Sequence, residues 1–249
     1  MLRIIGFLAA LLAATPSFCQ SAEGPRPVKI AVIDSGVAKT PLLAPLLVAE
    51  YDIAAVFKER PAFRPVHDHG TEVATVIARA STAPIELYSL RIDTPGQCTK
   101  RSRACSFLDD NMVAAIYKAI DLDVDVINLS TGGVPTPEME KAIGLASAQG
   151  IEIAIAAGNK PGEPPFKNLA RAGGKRVWLV GAIDQKARPC AFSARPGDAA
   201  QLDYQFVWRL GSRVSTQNMD GEWVKASGTS FATPILTAEL ASRLAQSES

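Results

Sequence analysis

The sequence predicts an α/β protein with a doubly wound, mainly parallel sheet sandwiched between helices. Three observations lead there. Continuous Val- and Ile-rich runs such as VKIAVID (residues 28–34) read as strands buried on both faces, the mark of a parallel sheet. These runs alternate with segments of helical period, as strand-crossover-strand units require. Polar residues also gather where the runs stop: Asp34, then Asn128 and Ser130, then Asn159. In such folds ligands bind beyond the carboxyl ends of the strands.

In chain order, the expected strands are VKIAVIDSG (28–36), IELYSLRI (85–92), VDVINLS (124–130), IEIAIAAG (151–158) and RVWLVGAI (176–183). Helical spacing marks HGTEVATVIARA (69–80), DDNMVAAIYKAIDL (109–122), PEMEKAIGLASAQG (137–150) and SFATPILTAELASRLAQ (230–246). Residues 51–68 are rich in Pro and charge without a clear period, and read as surface loop with a short strand or turn.

The 249 residues carry 47% hydrophobic and 20% charged side chains with a formal net charge of +1. That is the composition of a globular domain. It lacks the basic excess of a nucleic-acid binder, so no nucleic-acid partner is expected. The start of the chain, MLRIIGFLAALLAATPSFCQSAEG, has a cation at Arg3, an apolar core over 4–14 and small or polar residues after it. This is the pattern of a secretory signal, assigned to residues 1–21 with cleavage after Cys19 or Ser21, followed by one domain over 22–249. Its apolar run is too short to span a bilayer and no later stretch is long enough, so no membrane span is expected. Export to the periplasm or the extracellular space follows. An oxidising compartment would let Cys98 and Cys105, close together in a polar segment, close a small disulfide loop and leave Cys190 unpaired.

Acyl transfer by a serine requires a base, a carboxylate to orient it and donors for the oxyanion. Asp34 at a strand end, His69 opening a helix, Asn159 ending a strand and Ser230 beginning the last helix supply those side-chain types. Each taken alone also fits a turn or a helix cap. A metallohydrolase using His67, His69 and Asp34 is the rival enzyme reading, but it leaves Asn159 and the segment GTS without a role.

The motifs VIDSG, HGTEVA, INLSTGG, IAAGN and GTSFATP, in this order, resemble those of the subtilisin-like serine peptidases from Val28 to the last helix. The resemblance implies the subtilisin-like three-layer fold and serine endopeptidase activity. It makes Asp34 the orienting carboxylate, His69 the base, Ser230 the nucleophile and Asn159 the side-chain oxyanion donor. It also implies that an extended polypeptide substrate pairs with Ser130, Thr131 and Gly132 on one side and Ala156, Ala157 and Gly158 on the other, where small residues admit a backbone. A catalytically inactive protein of the same fold, serving as a binding partner, is the alternative of a different class.

Departures from the family pattern are informative. Glu72 stands where members usually carry a second histidine; one helical turn from His69, it reads either as a solvated first-turn glutamate or as a carboxylate that raises the imidazole pKa. The first strand begins soon after the leader, without the domain-sized propeptide of many exported members. Either the chain folds unaided or a separately encoded folding helper or inhibitor serves it. Lys100, Arg101 and Arg103 between the cysteines read either as solvated loop charge or as cations that favour acidic substrate side chains. No D-x-[DN]-x-[DN]-G run occurs, so no cofactor is expected, although the resemblance leaves open a structural calcium held by distant loops. Residues 160–175 read as shortened relative to the family, which hides the floor of the primary pocket.

Overall fold

The computed structural model describes residues 26–54, 60–98, 105, 107–197 and 202–247. The expected leader and the loop cations Lys100, Arg101 and Arg103 lie outside these residues. The strands are β1 (Val28–Asp34), β2 (Leu47–Asp52), β3 (Ile85–Arg91), β4 (Val126–Leu129), β5 (Glu152–Ala156), β6 (Val177–Ile183), β7 (Gln205–Leu210), β8 (Val214–Gln217) and β9 (Trp223–Ala226). The helices are α1 (His69–Ala80), α2 (Asp109–Asp121), α3 (Pro137–Ala148), α4 (Lys167–Gly173) and α5 (Thr229–Ser247).

The first seven strands form one sheet in the order β2-β3-β1-β4-β5-β6-β7, and every neighbouring pair is parallel. The doubly wound three-layer prediction is therefore correct. Strand periodicity sends alternate side chains to two cores. From β1, Ala31 and Ile33 join Ile153, Ile155, Val177 and Leu179 on the face covered by α2, α3 and α4. Val28, Ile30 and Val32 join Val180 and Ala182 on the face covered by α1 and α5. Each fully buried Ile or Leu adds roughly 1.5–3 kcal/mol of hydrophobic stabilisation before entropy is counted, so the central strands anchor the site.

Several elements escaped the sequence reading. Strands β2 and β7 are the sheet edges, and their side chains are mostly half-buried rather than in continuous apolar runs. The segment expected as loop from residue 51 begins inside β2. The hairpin β8–β9 is a separate antiparallel pair packed on α1. Helix α4, within the supposedly shortened stretch, has only seven residues, too short to show a helical period.

The chain leaves β1 toward β2 and β3 on one side of the sheet, and continues from β4 through β7 on the other. The reversal falls between β1 and β4, so a crevice opens beyond their carboxyl ends. Asp34, Ser130 and Asn159 follow from strands on either side of it.

Candidate active site

Asp34 closes β1 fully buried, with its carbonyl accepting from Ile92 N–H (2.9 Å) and its Oδ1 from Ser35 N–H (2.7 Å). Its sheet neighbour Arg91 is buried too. The Arg91 guanidinium donates to Asp93 (2.7 Å), which also accepts from Arg60 (2.8 Å). Buried charges of this kind require partners, and the network secures the segment that leads to His69.

Helix α1 begins with His69, and three contacts fix it against the β1 loop. Ser35 Oγ accepts from Gly70 N–H (3.1 Å), and Thr71 Oγ1 accepts from Ala38 N–H (3.0 Å). The third is a close approach of two backbones: a methyl group on Gly70 would lie 2.3 Å from the Gly36 carbonyl oxygen. Only glycine permits this, and Gly36 itself sits at φ +92°, in the left-handed region. The imidazole is thereby laid against the Asp34 carboxylate, with Nδ1 at 2.9 Å from Oδ1 and 3.0 Å from Oδ2. With Nδ1–H donating there, the neutral ring keeps the Nε2 lone pair free. Burial disfavours the imidazolium, but the charge and hydrogen bond of Asp34, reinforced by the charge of Glu72, outweigh it and raise the His69 pKa. The edge-on ring of Phe231, 5.5 Å between centroids, holds the other side.

Ser230 is the second residue of α5, where backbone N–H groups have no intrahelical acceptor and the helix dipole favours negative charge. Asn159 follows β5 and is oriented by Thr229. Its Oδ1 accepts from Thr229 N–H (2.8 Å) and Thr229 Oγ1–H (3.1 Å), and Thr229 Oγ1 accepts from Gly158 N–H (3.2 Å). The side-chain oxygen being engaged, Nδ2 is the group left to face outward. A methyl group on Gly228 would lie 3.1 Å from Ser230 Oγ and 3.3 Å from Asn159 Nδ2, so hydroxyl and amide converge over a bare glycine.

His69, Ser230 and Asn159 share a cleft of about 570 Å³. Of the residues expected to bind substrate, Ser130, Thr131, Gly132, Ala156 and Gly158 line it. Ala157 instead points into the core, its N–H donating to the Val180 carbonyl (3.0 Å). Ser130 Oγ accepts from Asn128 Nδ2 (2.9 Å), and Asn128 Oδ1 accepts from Thr237 Oγ1 (2.8 Å), tying β4 to α5. The sequence reading had missed Phe107, Pro165, Phe166 and Phe231 in the lining. Aromatic and proline residues of this kind look like ordinary core, and no local signal separates them.

His67 Nδ1 accepts from His69 N–H (3.3 Å), and the two rings are 6.4 Å apart. Among the described residues no group of three or more His, Cys, Asp or Glu side chains is disposed to hold a metal ion. Glu72 is partly buried in the first turn of α1; burial, then Asp68 and Asp34, raise its pKa against the pull of His69. Cys98 and Cys105 form a disulfide, and Cys105 borders the cleft. Cys190 is a buried free thiol whose pKa is raised by burial and by Asp184, against a hydrogen bond to Ser212.

A parallel three-layer α/β fold with an Asp-His pair, a serine at a helix start and an outward-facing amide around one cleft has the constellation of a serine hydrolase. Residues 26–248 match the subtilase family of peptidases, and the chain belongs to that family. An intracellular serine protease of Paenibacillus polymyxa is 28% identical over 229 residues, 87% of this chain and 66% of that protein. Subtilisin-like protease SBT4.15 of Arabidopsis thaliana is 31% identical over 118 residues, 42% of this chain and 15% of that protein. The chain thus spans just under two thirds of the first relative's length and far less of the second's. A cold-adapted subtilisin-like serine proteinase superposes with a TM-score of 0.72 at 20% identity, covering 89% of this chain and 76% of that one. The prenylagaramide maturation protease PagA gives 0.66 at 20% identity, covering 89% and 77%. Among the described residues, no helix is long and apolar enough to cross a membrane.

Proposed function

We propose that the chain is an exported serine endopeptidase acting on extended polypeptide. The observation that carries this is the His69 Nδ1 contact with both Asp34 carboxylate oxygens, in the cleft where Ser230 Oγ and Asn159 Nδ2 converge. In this reading His69 Nε2 takes the proton of Ser230 as Oγ attacks the scissile carbonyl carbon. Asn159 Nδ2 and the Ser230 N–H stabilise the resulting oxyanion. The imidazolium then passes its proton to the leaving amine, the C–N bond breaks, and an acyl-enzyme forms. Water, deprotonated by the same imidazole, releases the second product. The bare backbone at Gly132, with nothing within 4 Å of its would-be Cβ, suits a substrate strand pairing along Ser130–Gly132.

The leader-like sequence over residues 1–21 and the Cys98–Cys105 disulfide support export. A separately encoded folding helper or inhibitor remains part of the proposal, motivated by the short interval between that leader and β1. The deciding experiment is labelling with a serine-directed phosphonate beside peptide hydrolysis. Wild type should label and cleave, whereas Ser230→Ala should do neither. A folded wild-type protein that neither labels nor cleaves would place the chain among inactive binding proteins of the same fold.

A further inference from the structure

Resting on the peptidase reading, we infer that Phe166, seated beside Pro165, closes the primary side-chain pocket and restricts cleavage to bonds that follow small, uncharged residues. The attacked carbonyl must lie where Ser230 Oγ and Asn159 Nδ2 converge. Side chains of an extended strand alternate between faces, so the residue bearing that carbonyl projects between the two walls nearest Asn159. These walls are Ser130–Gly133 and Ala156–Asn159.

Both walls are already met from below by rings. A methyl group on Gly133 would lie 3.4 Å from Asp109 Oδ1, 3.5 Å from Met112 Cε and 3.7 Å from Phe166 Cζ, and one on Gly158 would lie 3.3 Å from Pro165 Cδ. The Phe166 separation is an ordinary van der Waals contact and the Pro165 one is tighter, so the rings fill the depth into which a long side chain would extend. Phe166 is fixed rather than swinging. It is 2% exposed, packs in the core and precedes α4, its carbonyl accepting from Ala170 N–H (3.2 Å). Among the described residues the cleft is lined by no Lys, Arg, Asp or Glu. An acidic side chain entering this pocket would lose its hydration near the Asp109 carboxylate, and any side chain much larger than Val, a lysine included, would strike the Phe166 ring.

The test uses the full chain and a peptide library varied at the residue preceding the scissile bond, with phosphonate labelling of the same samples. Wild type should cleave after Ala, Ser or Val about tenfold or more faster, in kcat/KM, than after Phe, Tyr, Lys or Glu, the scale on which a pocket discriminates by size. Phe166→Ala should raise cleavage after Leu or Phe relative to Ala by about tenfold, and Phe166→Leu should shift the ratio in the same direction by less. If the alanine variant fails to fold by thermal melting, the leucine variant decides. A labelled, active wild type that prefers aromatic or charged residues overturns the inference alone. Folded, labelled Phe166 variants with unchanged ratios do the same. A wild type that neither labels nor cleaves overturns the peptidase reading and this inference with it.

Discussion

Thr229 holds Asn159 by two donors to one acceptor: its backbone N–H and its hydroxyl both reach Asn159 Oδ1, at 2.8 and 3.1 Å. The amide cannot rotate without losing both bonds, so Nδ2 stays turned toward Ser230. Preorganised donors of this kind need no rearrangement as charge develops.

In the proposed enzyme, Asn159→Ala should lower kcat by about 10²–10³-fold with little change in KM, because the donor acts on the oxyanion and not on the ground-state carbonyl. Thr229→Val removes the hydroxyl, with its bond to Asn159 Oδ1 and its acceptance from Gly158 N–H, and leaves the Thr229 N–H bond to Asn159 in place. It should lower kcat by less than Asn159→Ala, again with KM held. Steady-state kinetics on one peptide substrate reads both effects. An equal rise in KM would show instead that the pair shapes binding.

Asp34→Asn tests the orienting role. The replacement keeps the size of the side chain, but it presents an amide N–H where His69 Nδ1–H donates, favouring the wrong imidazole tautomer. A fall in kcat of about 10⁴-fold is expected, with phosphonate labelling slowed in parallel. A variant retaining a tenth of wild-type activity would assign Asp34 a structural role only.

Glu72 should set where activity fails in acid. His69 must be neutral to accept a proton, so kcat/KM falls as pH drops through its pKa. That pKa is raised, chiefly by Asp34 acting against burial, with Glu72 as a further negative charge. The ionisable groups close to Glu72 are His69, Asp68 and Asp34. Removing its charge destabilises the imidazolium, lowers the His69 pKa and extends activity to lower pH. Glu72→Gln should therefore move the acid limb of the kcat/KM profile downward. An unmoved limb would mean that the charge of Glu72 does not reach His69.

The candidate site was more legible in the sequence than the scaffold edges. Asp34, His69, Asn159 and Ser230 each stand at the end of a strand or the start of a helix, and apolar runs announce those boundaries. Edge strands β2 and β7 gave no such run, because one margin of each meets no neighbouring strand and their side chains are only half-buried. The Thr229–Asn159 clamp joins residues 70 positions apart, a pairing no local pattern carries. Phe166 was invisible for a different reason: a phenylalanine before a seven-residue helix looks like core, and it is core. Only the fold brings the edge of its ring to the cleft.

Two glycines separate the scaffold's demands from the substrate's. A methyl group on Gly70 would lie 2.3 Å from the Gly36 carbonyl oxygen and 3.3 Å from Asp34 Cβ, and neither backbone can yield without parting His69 from Asp34. Gly70→Ala should lower stability by about 1–3 kcal/mol, the range for overpacking, and should reduce kcat even at temperatures where the variant is fully folded. At Gly132 the would-be Cβ has nothing within 4 Å. Gly132→Ala should leave the melting temperature unchanged but raise KM, because the added methyl stands where the substrate backbone is proposed to pair. Thermal melts beside steady-state kinetics distinguish the two. A Gly132→Ala variant with wild-type KM would move the substrate strand away from Ser130–Gly132.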